Sequence, residues 1–153
     1  MHELRRKQKL PISLEQGWDF LSSPENLKKI TPPHMGFEIL SGFSGEKMYA
    51  GMIINYIVKP FPGVPMNWTT EITHVSEPNY FVDEQRFGPY TFWHHKHFIK
   101  EIPGGVEMED LIHYKLPFGP IGKLVNALIV KHQLNGIFRY REKVLTEMFG
   151  KFE

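Results

Sequence analysis

The chain has 153 residues and a mass of 17.9 kDa, enough to bury roughly 70% of its unfolded surface in one core but too little for a second sizeable domain, so residues 1–153 read as a single domain. Hydrophobic residues at 41% and charged residues at 23% exclude a disordered chain, and 18 Lys and Arg against 17 Asp and Glu leave no overall positive charge to draw in nucleic acid. The absence of cysteine excludes disulfides, thiolate metal sites, iron–sulfur clusters and a cysteine nucleophile together.

The opening His2–Leu10 alternates as a strand, with Leu4, Arg6, Gln8 and Leu10 on one side and charged residues on the other. Its basic start has no apolar stretch behind it, so the expected address is the cytoplasm. Ser13 with Gln16 three residues later predicts a capped helix that carries Leu14, Trp18 and Leu21 on one face. Ser23-Pro24-Glu25 repeats the start signal and predicts a second short helix to about Ile30, ended by Thr31-Pro32-Pro33.

From there to Pro120 the period is two, which predicts an antiparallel meander over 37–41, 52–59, 66–75, 80–87, 90–102 and 106–116. The breaks fall at Pro60-Phe61-Pro62-Gly63, Glu77-Pro78-Asn79, Gly88-Pro89 and Pro103-Gly104-Gly105. Residues 121–149 contain no proline and repeat Leu124, Leu128, Leu134, Ile137, Phe138, Val144, Leu145 and Met148 at helical spacing, predicting one helix roughly 40 Å long. Its Lys131, Arg139, Arg141 and Lys143 read as a solvated outer side. The apolar run from Leu124 to Val130 is far short of the roughly 20 residues that span a bilayer. A strand, two short helices, a meander and a long terminal helix pack best as an α+β domain whose curved sheet wraps the helix and leaves a pocket between them.

This order resembles the START-like, pollen-allergen-like helix-grip superfamily, also called SRPBCC, along the whole chain. The stretches Ile30-Thr31-Pro32-Pro33, Phe81-Val82-Asp83-Glu84-Gln85, Gly88-Pro89-Tyr90, Trp93-His94-His95-Lys96-His97 and Leu116-Pro117-Phe118-Gly119-Pro120-Ile121-Gly122 resemble a bacterial ligand-binding subfamily near the polyketide cyclase and dehydratase group. Some of its relatives are fused to nucleotide-sugar-epimerase-like domains with a cell-division-inhibitor label, and no such domain is read in these residues. The superfamily includes lipid and hormone carriers as well as enzymes, so the resemblance implies the helix-grip fold and leaves binding and catalysis both open.

The most unusual local sequence is Trp93-His94-His95-Lys96-His97. Alternation puts Trp93, His95, His97 and Ile99 on the inward face. The Ile102-Pro103-Gly104-Gly105 loop sets His97 opposite Asp110 and His95 opposite Ile112, with Met108, Tyr114 and Leu116 also inward. Across Gly88-Pro89, Phe81, Asp83 and Gln85 fall beside His97, His95 and Trp93. The candidate site is thus Asp83, Gln85, His95, His97 and Asp110 on a wall of Trp68, Trp93, Ile112 and Tyr114.

The first reading is a cavity for a small hydrophobic or amphipathic molecule, contacted by Trp68, Asp83, Gln85, Trp93, His95 and Ile112. The second is a cyclase- or dehydratase-like enzyme in which His97, oriented by Asp110 and assisted by Tyr114, removes a proton next to a carbonyl. A two-histidine, one-carboxylate metal set of His95, His97 and Asp110 comes third, and no metal or other cofactor is assigned. A His–Asp pair that merely satisfies itself under the helix is the competing structural account. Phe81, Phe92, Phe98, Phe138 and Phe149 read as core filling. A homodimer through an exposed strand or the long helix is left open.

Overall fold

Alternating apolar and polar side chains fold here into one seven-stranded antiparallel sheet. The computed structural model describes residues 1–61 and 63–153. Its strands are β1 (His2–Leu10), β2 (Glu38–Ile39), β3 (Ile53–Phe61), β4 (Val64–Ser76), β5 (Tyr80–Phe87), β6 (Phe92–Ile102) and β7 (Gly105–Lys115), arranged in the order β1-β7-β6-β5-β4-β3-β2. β2 to β7 are neighbours in chain order, and β1 closes the sheet by pairing with β7. Of the break expected at 60–63, Pro62 lies outside the described residues.

The β6–β7 hairpin has the predicted register: His97 pairs with Asp110 and His95 with Ile112. β5 and β6 also pair as expected where ladder bonds form, with Phe81 beside His97 and Asp83 beside His95. Register shifts between Val58 and Phe61, and between Thr69 and Thr70 and Ile72 and His74, bend the sheet. Such bulges increase local twist and make a concave face.

Helix α1 (Leu14–Leu21) starts on the predicted capping box, with Gln16 N donating to Ser13 Oγ at 3.1 Å and Ser13 N donating to Gln16 Oε1 at 3.1 Å. The expected second helix is shorter than predicted. It is a 3₁₀ turn over Pro24–Leu27, and a further 3₁₀ turn forms at Pro33–Met35. Ser23 does not cap it, because its hydroxyl donates to Asp19 O at 2.8 Å instead.

The terminal helix is interrupted. It comprises α2 (Gly119–Val125), a π-helical segment (Asn126–Val130) and α3 (Lys131–Phe149). Asn126 is drawn inward, where its Oδ1 accepts from Tyr114 OH at 2.7 Å and its Nδ2 lies 3.2 Å from His2 Nδ1. With Asn126 turned in, the inward row becomes Gly122, Asn126, Val130, Leu134 and Phe138. Leu124 and Leu128, expected in the core, face outward. Phe92 is likewise exposed and Phe98 half-buried on the outer face of β6.

Two packed clusters fill the concavity. The larger joins α1, β1 and the sheet around Trp18, Leu21, Ile72, Phe81 and Leu145. The smaller joins Ile112 and Tyr114 to Val130, Leu134 and Phe138. No helix among the described residues is long and apolar enough to cross a membrane.

Candidate functional site

Between the sheet and α3 lies a cavity of about 180 Å³. Ile54, Trp68, Ile72, Phe81 and Trp93 form its sheet side and Leu134, Ile137 and Phe138 its helix side, while Leu27, Ile30 and Met35 close it from the 3₁₀ region. These side chains are almost wholly apolar. Besides Gln133, whose amide donates to Pro60 O, polar atoms gather mainly at two places.

The first is the Tyr56–Thr70–Trp68 group. Trp68 Nε1 donates to Thr70 Oγ1 at 3.0 Å, and Thr70 Oγ1 lies 3.3 Å from Tyr56 OH. Burial raises the Tyr56 pKa far above its ordinary value, so the phenol stays neutral.

The second is a cluster of five largely buried ionisable residues. His95 and His97 project from the same face of β6, and their rings stack with centroids 3.6 Å apart. Asp83 stands on one side of the stack: His97 Nε2 donates to its Oδ2 at 2.5 Å, and Trp93 Nε1 donates to its Oδ1 at 3.3 Å. Asp110 stands on the other side and accepts from His95 Nε2 at 2.8 Å. His97 Nδ1 is 3.1 Å from Asp110 Oδ1 but off the hydrogen-bonding direction. Arg141 of α3 completes the cluster, with Nη1 3.1 Å from Asp110 Oδ1 and only 8% of the residue exposed.

Charge decides how the protons are arranged. Burial works against ionising either carboxyl, yet Arg141 and the two histidines hold Asp110 well below the usual carboxylate range, and the histidines also lower Asp83. Two imidazolium rings 3.6 Å apart would repel each other, so the stack takes up one proton. Burial and the charge on His97 lower the pKa of His95. His97 is buried too, but the two carboxylates outweigh burial and raise its pKa. Two cations, Arg141 and His97, therefore face two anions. His95 is neutral, donates from Nε2 to Asp110, and turns its Nδ1 lone pair toward Asp83 Oδ2 at 3.5 Å.

These pKa directions set the pH dependence of stability. The contribution of His97 is complete below pH ~6.5 and is lost as pH rises through its raised value. His95 acts oppositely: the unfolded chain binds its proton first, so stability falls as pH drops below ~6.5. The two carboxylates add their own loss at still lower pH, through their depressed values. Urea midpoints should peak near pH ~6.5, and His97→Gln should remove the alkaline decline. A midpoint still rising between about pH 6.5 and 8 would contradict this assignment.

The predicted site residues divide. Trp68, Asp83, Trp93, His95 and His97 meet at the cavity. Asp110 lies behind the histidines and touches the cavity only through them and Arg141. Gln85 stands apart, its amide spent on the β5–β6 connection, where Nε2 donates to Tyr90 O at 2.6 Å and Oε1 accepts from Tyr90 N at 3.0 Å. Ile112 is packed in the smaller cluster and Tyr114 has its hydroxyl on Asn126, so neither lines the cavity.

Arg141 was expected on the solvated side and is instead buried. The signal was in the sequence: it follows Phe138 by three residues and precedes Leu145 by four, within the apolar stripe. Asp83, rather than Asp110, is the carboxylate that groups with His95 and His97, their ligand atoms lying within 4.8 Å of one another. Metal coordination fits them poorly. The ring planes are inclined by 29° with centroids 3.6 Å apart, so they meet well beyond the ~2.0 Å reach of a metal–nitrogen bond.

The fold is that of the START-like helix-grip proteins. A START superfamily protein from Mycobacterium smegmatis superposes with a TM-score of 0.71 at 13% identity, covering 97% of this chain and 99% of that one. A protein from Thermus thermophilus gives 0.67 at 14% identity, covering 96% and 99%. A nucleoside-diphosphate sugar epimerase from Corynebacterium glutamicum contains a similar unit, with a TM-score of 0.68 at 19% identity over 94% of this chain and 28% of the epimerase. No protein-family model and no curated protein sequence matches the chain.

Proposed function

We propose that the chain binds a small amphipathic molecule in the cavity, its one- or two-ring apolar body between Trp68, Phe81 and Phe138 and its polar group at His95 and Asp83. The observation that carries this reading is the facing of two acceptors, His95 Nδ1 and Asp83 Oδ2, 3.5 Å apart at the polar end of an apolar cavity. Two lone-pair atoms in that position call for a donor between them, so the ligand's polar group is a hydroxyl or an amine. The volume of about 180 Å³ supports this size, since a dry cavity of ~150 Å³ takes up benzene.

Calorimetric titration with 2-naphthol and naphthalene tests it. His95→Phe should weaken 2-naphthol about fivefold, the worth of a hydrogen bond between neutral partners, and leave naphthalene nearly unchanged. Equal loss for both compounds, or loss for neither, would reject the assigned polar end.

A second reading is catalytic, and one observation favours it. His95 has its Nε2 anchored on Asp110, a free Nδ1 toward the cavity and a lowered pKa, which together describe a general base. Proton abstraction next to a carbonyl, as in cyclisation or dehydration of polyketide-like compounds, would then fall to His95, because His97 already holds a proton between two carboxylates. In that case the same His95→Phe variant would bind but lose turnover by about a hundredfold or more.

A further inference from the structure

The first half of the terminal helix exposes what a packed helix would bury. Phe118 is 79% exposed, Ile121 67%, Leu124 61%, Leu128 69% and Ile129 46%. Single exposed apolar residues need no explanation, but five within twelve positions of one segment form a patch. The inward turn of Asn126, fixed by Tyr114 and His2, commits the opposite side to this exposure. Phe118 holds a left-handed backbone, φ 68°, which is unfavourable for a residue with a side chain, and its ring is spent on no core contact.

Charge indicates what covers the patch. The chain as a whole is balanced, yet residues 111–141 contain Lys115, Lys123, Lys131, Arg139 and Arg141 and not one Asp or Glu. Arg141 is used inside. Lys115, Lys123 and Lys131 are exposed and flank or interrupt the apolar residues. Large apolar side chains at the centre with lysines around them match the boundary of an anionic bilayer, where the apolar groups enter the acyl region and the lysines meet headgroup phosphates. A second copy is a poorer partner, because a two-fold contact would set Lys123 and Lys131 against their own counterparts. Nucleic acid would leave the apolar centre facing a polar backbone.

We infer that the segment from Phe118 to Lys131 is a docking surface for anionic lipid bilayers. The segment lies on the surface of the bilayer, held by both its apolar and its basic side chains. Directly after Lys131 on the same helix, Gln133, Leu134 and Ile137 line the cavity, so docking brings that wall close to the lipid. Docking does not depend on what the cavity binds.

Cosedimentation with vesicles of phosphatidylcholine, alone or mixed equally with phosphatidylglycerol, tests it. The unsubstituted protein should sediment with the mixed vesicles, far less with phosphatidylcholine alone, and less again as sodium chloride is raised. Leu124→Glu with Leu128→Glu should cut partitioning about tenfold or more without lowering the melting temperature, since neither side chain packs in the core. Lys123→Ala with Lys131→Ala should weaken only the binding that depends on phosphatidylglycerol. Failure of the unsubstituted protein to sediment with the mixed vesicles would overturn the proposal. So would unchanged binding by the Leu124 and Leu128 variant, or dimers held by the patch that leave vesicles unbound.

Discussion

Replacing Arg141 by Met should destabilise the protein by about 3–5 kcal/mol, the cost of leaving a buried charge without its partner, and lower the melting temperature by roughly 10 °C. Met keeps the length and apolar stem of the side chain, so the loss comes from Asp110. That carboxylate accepts from His95, forms an ion pair with Arg141 and lies close to His97, all within a buried layer between β7 and α3. With the guanidinium gone, two anions face a single cation and one carboxyl must take a proton or stay unpaired. Asp110→Asn in the same chain should restore part of the stability, because it removes the charge that Arg141 neutralises. Urea denaturation of the two single variants and the double variant measures the coupling. A loss under about 1 kcal/mol for Arg141→Met would place the residue in solvent, as an ordinary surface ion pair.

Phe81→Ala should produce a comparable loss, about 3–5 kcal/mol, with a different signature. Phe81 is 2% exposed, stacks on His97 with ring centroids 4.1 Å apart, and meets the edge of Trp18 at 6.1 Å. It is both a core residue and a wall of the cavity. Truncation therefore joins new empty volume to an existing pocket instead of opening an isolated void. A flat apolar ring should refill it: indole at about a hundred times its Kd should return roughly 2.7 kcal/mol. Thermal unfolding with and without indole gives the answer, and an indole response no larger than that of the unsubstituted protein would contradict a cavity bounded by Phe81.

The part of this site that was legible in the sequence is the part set by strand parity. Alternation put His95 and His97 on one face, and the short β6–β7 loop allowed only a register that sets Asp110 opposite His97. Asp83 followed from the same parity across the β5–β6 connection. What parity does not determine is which atom a side chain finally reaches. Gln85 keeps its expected strand but curls its side-chain amide onto the backbone N–H and C=O of Tyr90. Tyr114 faces inward as expected, but Asn126 takes its hydroxyl before the cavity begins.

The helix was harder to read for a related reason. Its spacing fits a continuous α-helix, and a buried bond between Asn126 and Tyr114 costs that regularity one π-helical segment. The rotation takes Leu124 and Leu128 out of the core, while the following stripe through Leu134, Phe138, Arg141 and Leu145 keeps its phase. Reading Arg141 by charge put it outside, and reading it by position puts it inside. Position decides because Asp110 is already waiting opposite, and a buried cation beside a buried anion costs far less than either alone.

The ligand recognition proposed for this cavity turns on His95 being the neutral ring whose Nδ1 receives a donor, and ring-nitrogen spectroscopy tests this most directly. Long-range ¹H–¹⁵N spectra of ¹⁵N-histidine-labelled protein at neutral pH, recorded while 2-naphthol is added, should show His97 with both nitrogens protonated and His95 as the Nε2–H form. The Nδ1 signal of His95 should then move saturably, while the exposed His132 stays still. A charged His95, or 2-naphthol binding that leaves the His95 nitrogens unmoved, would contradict the proposed site.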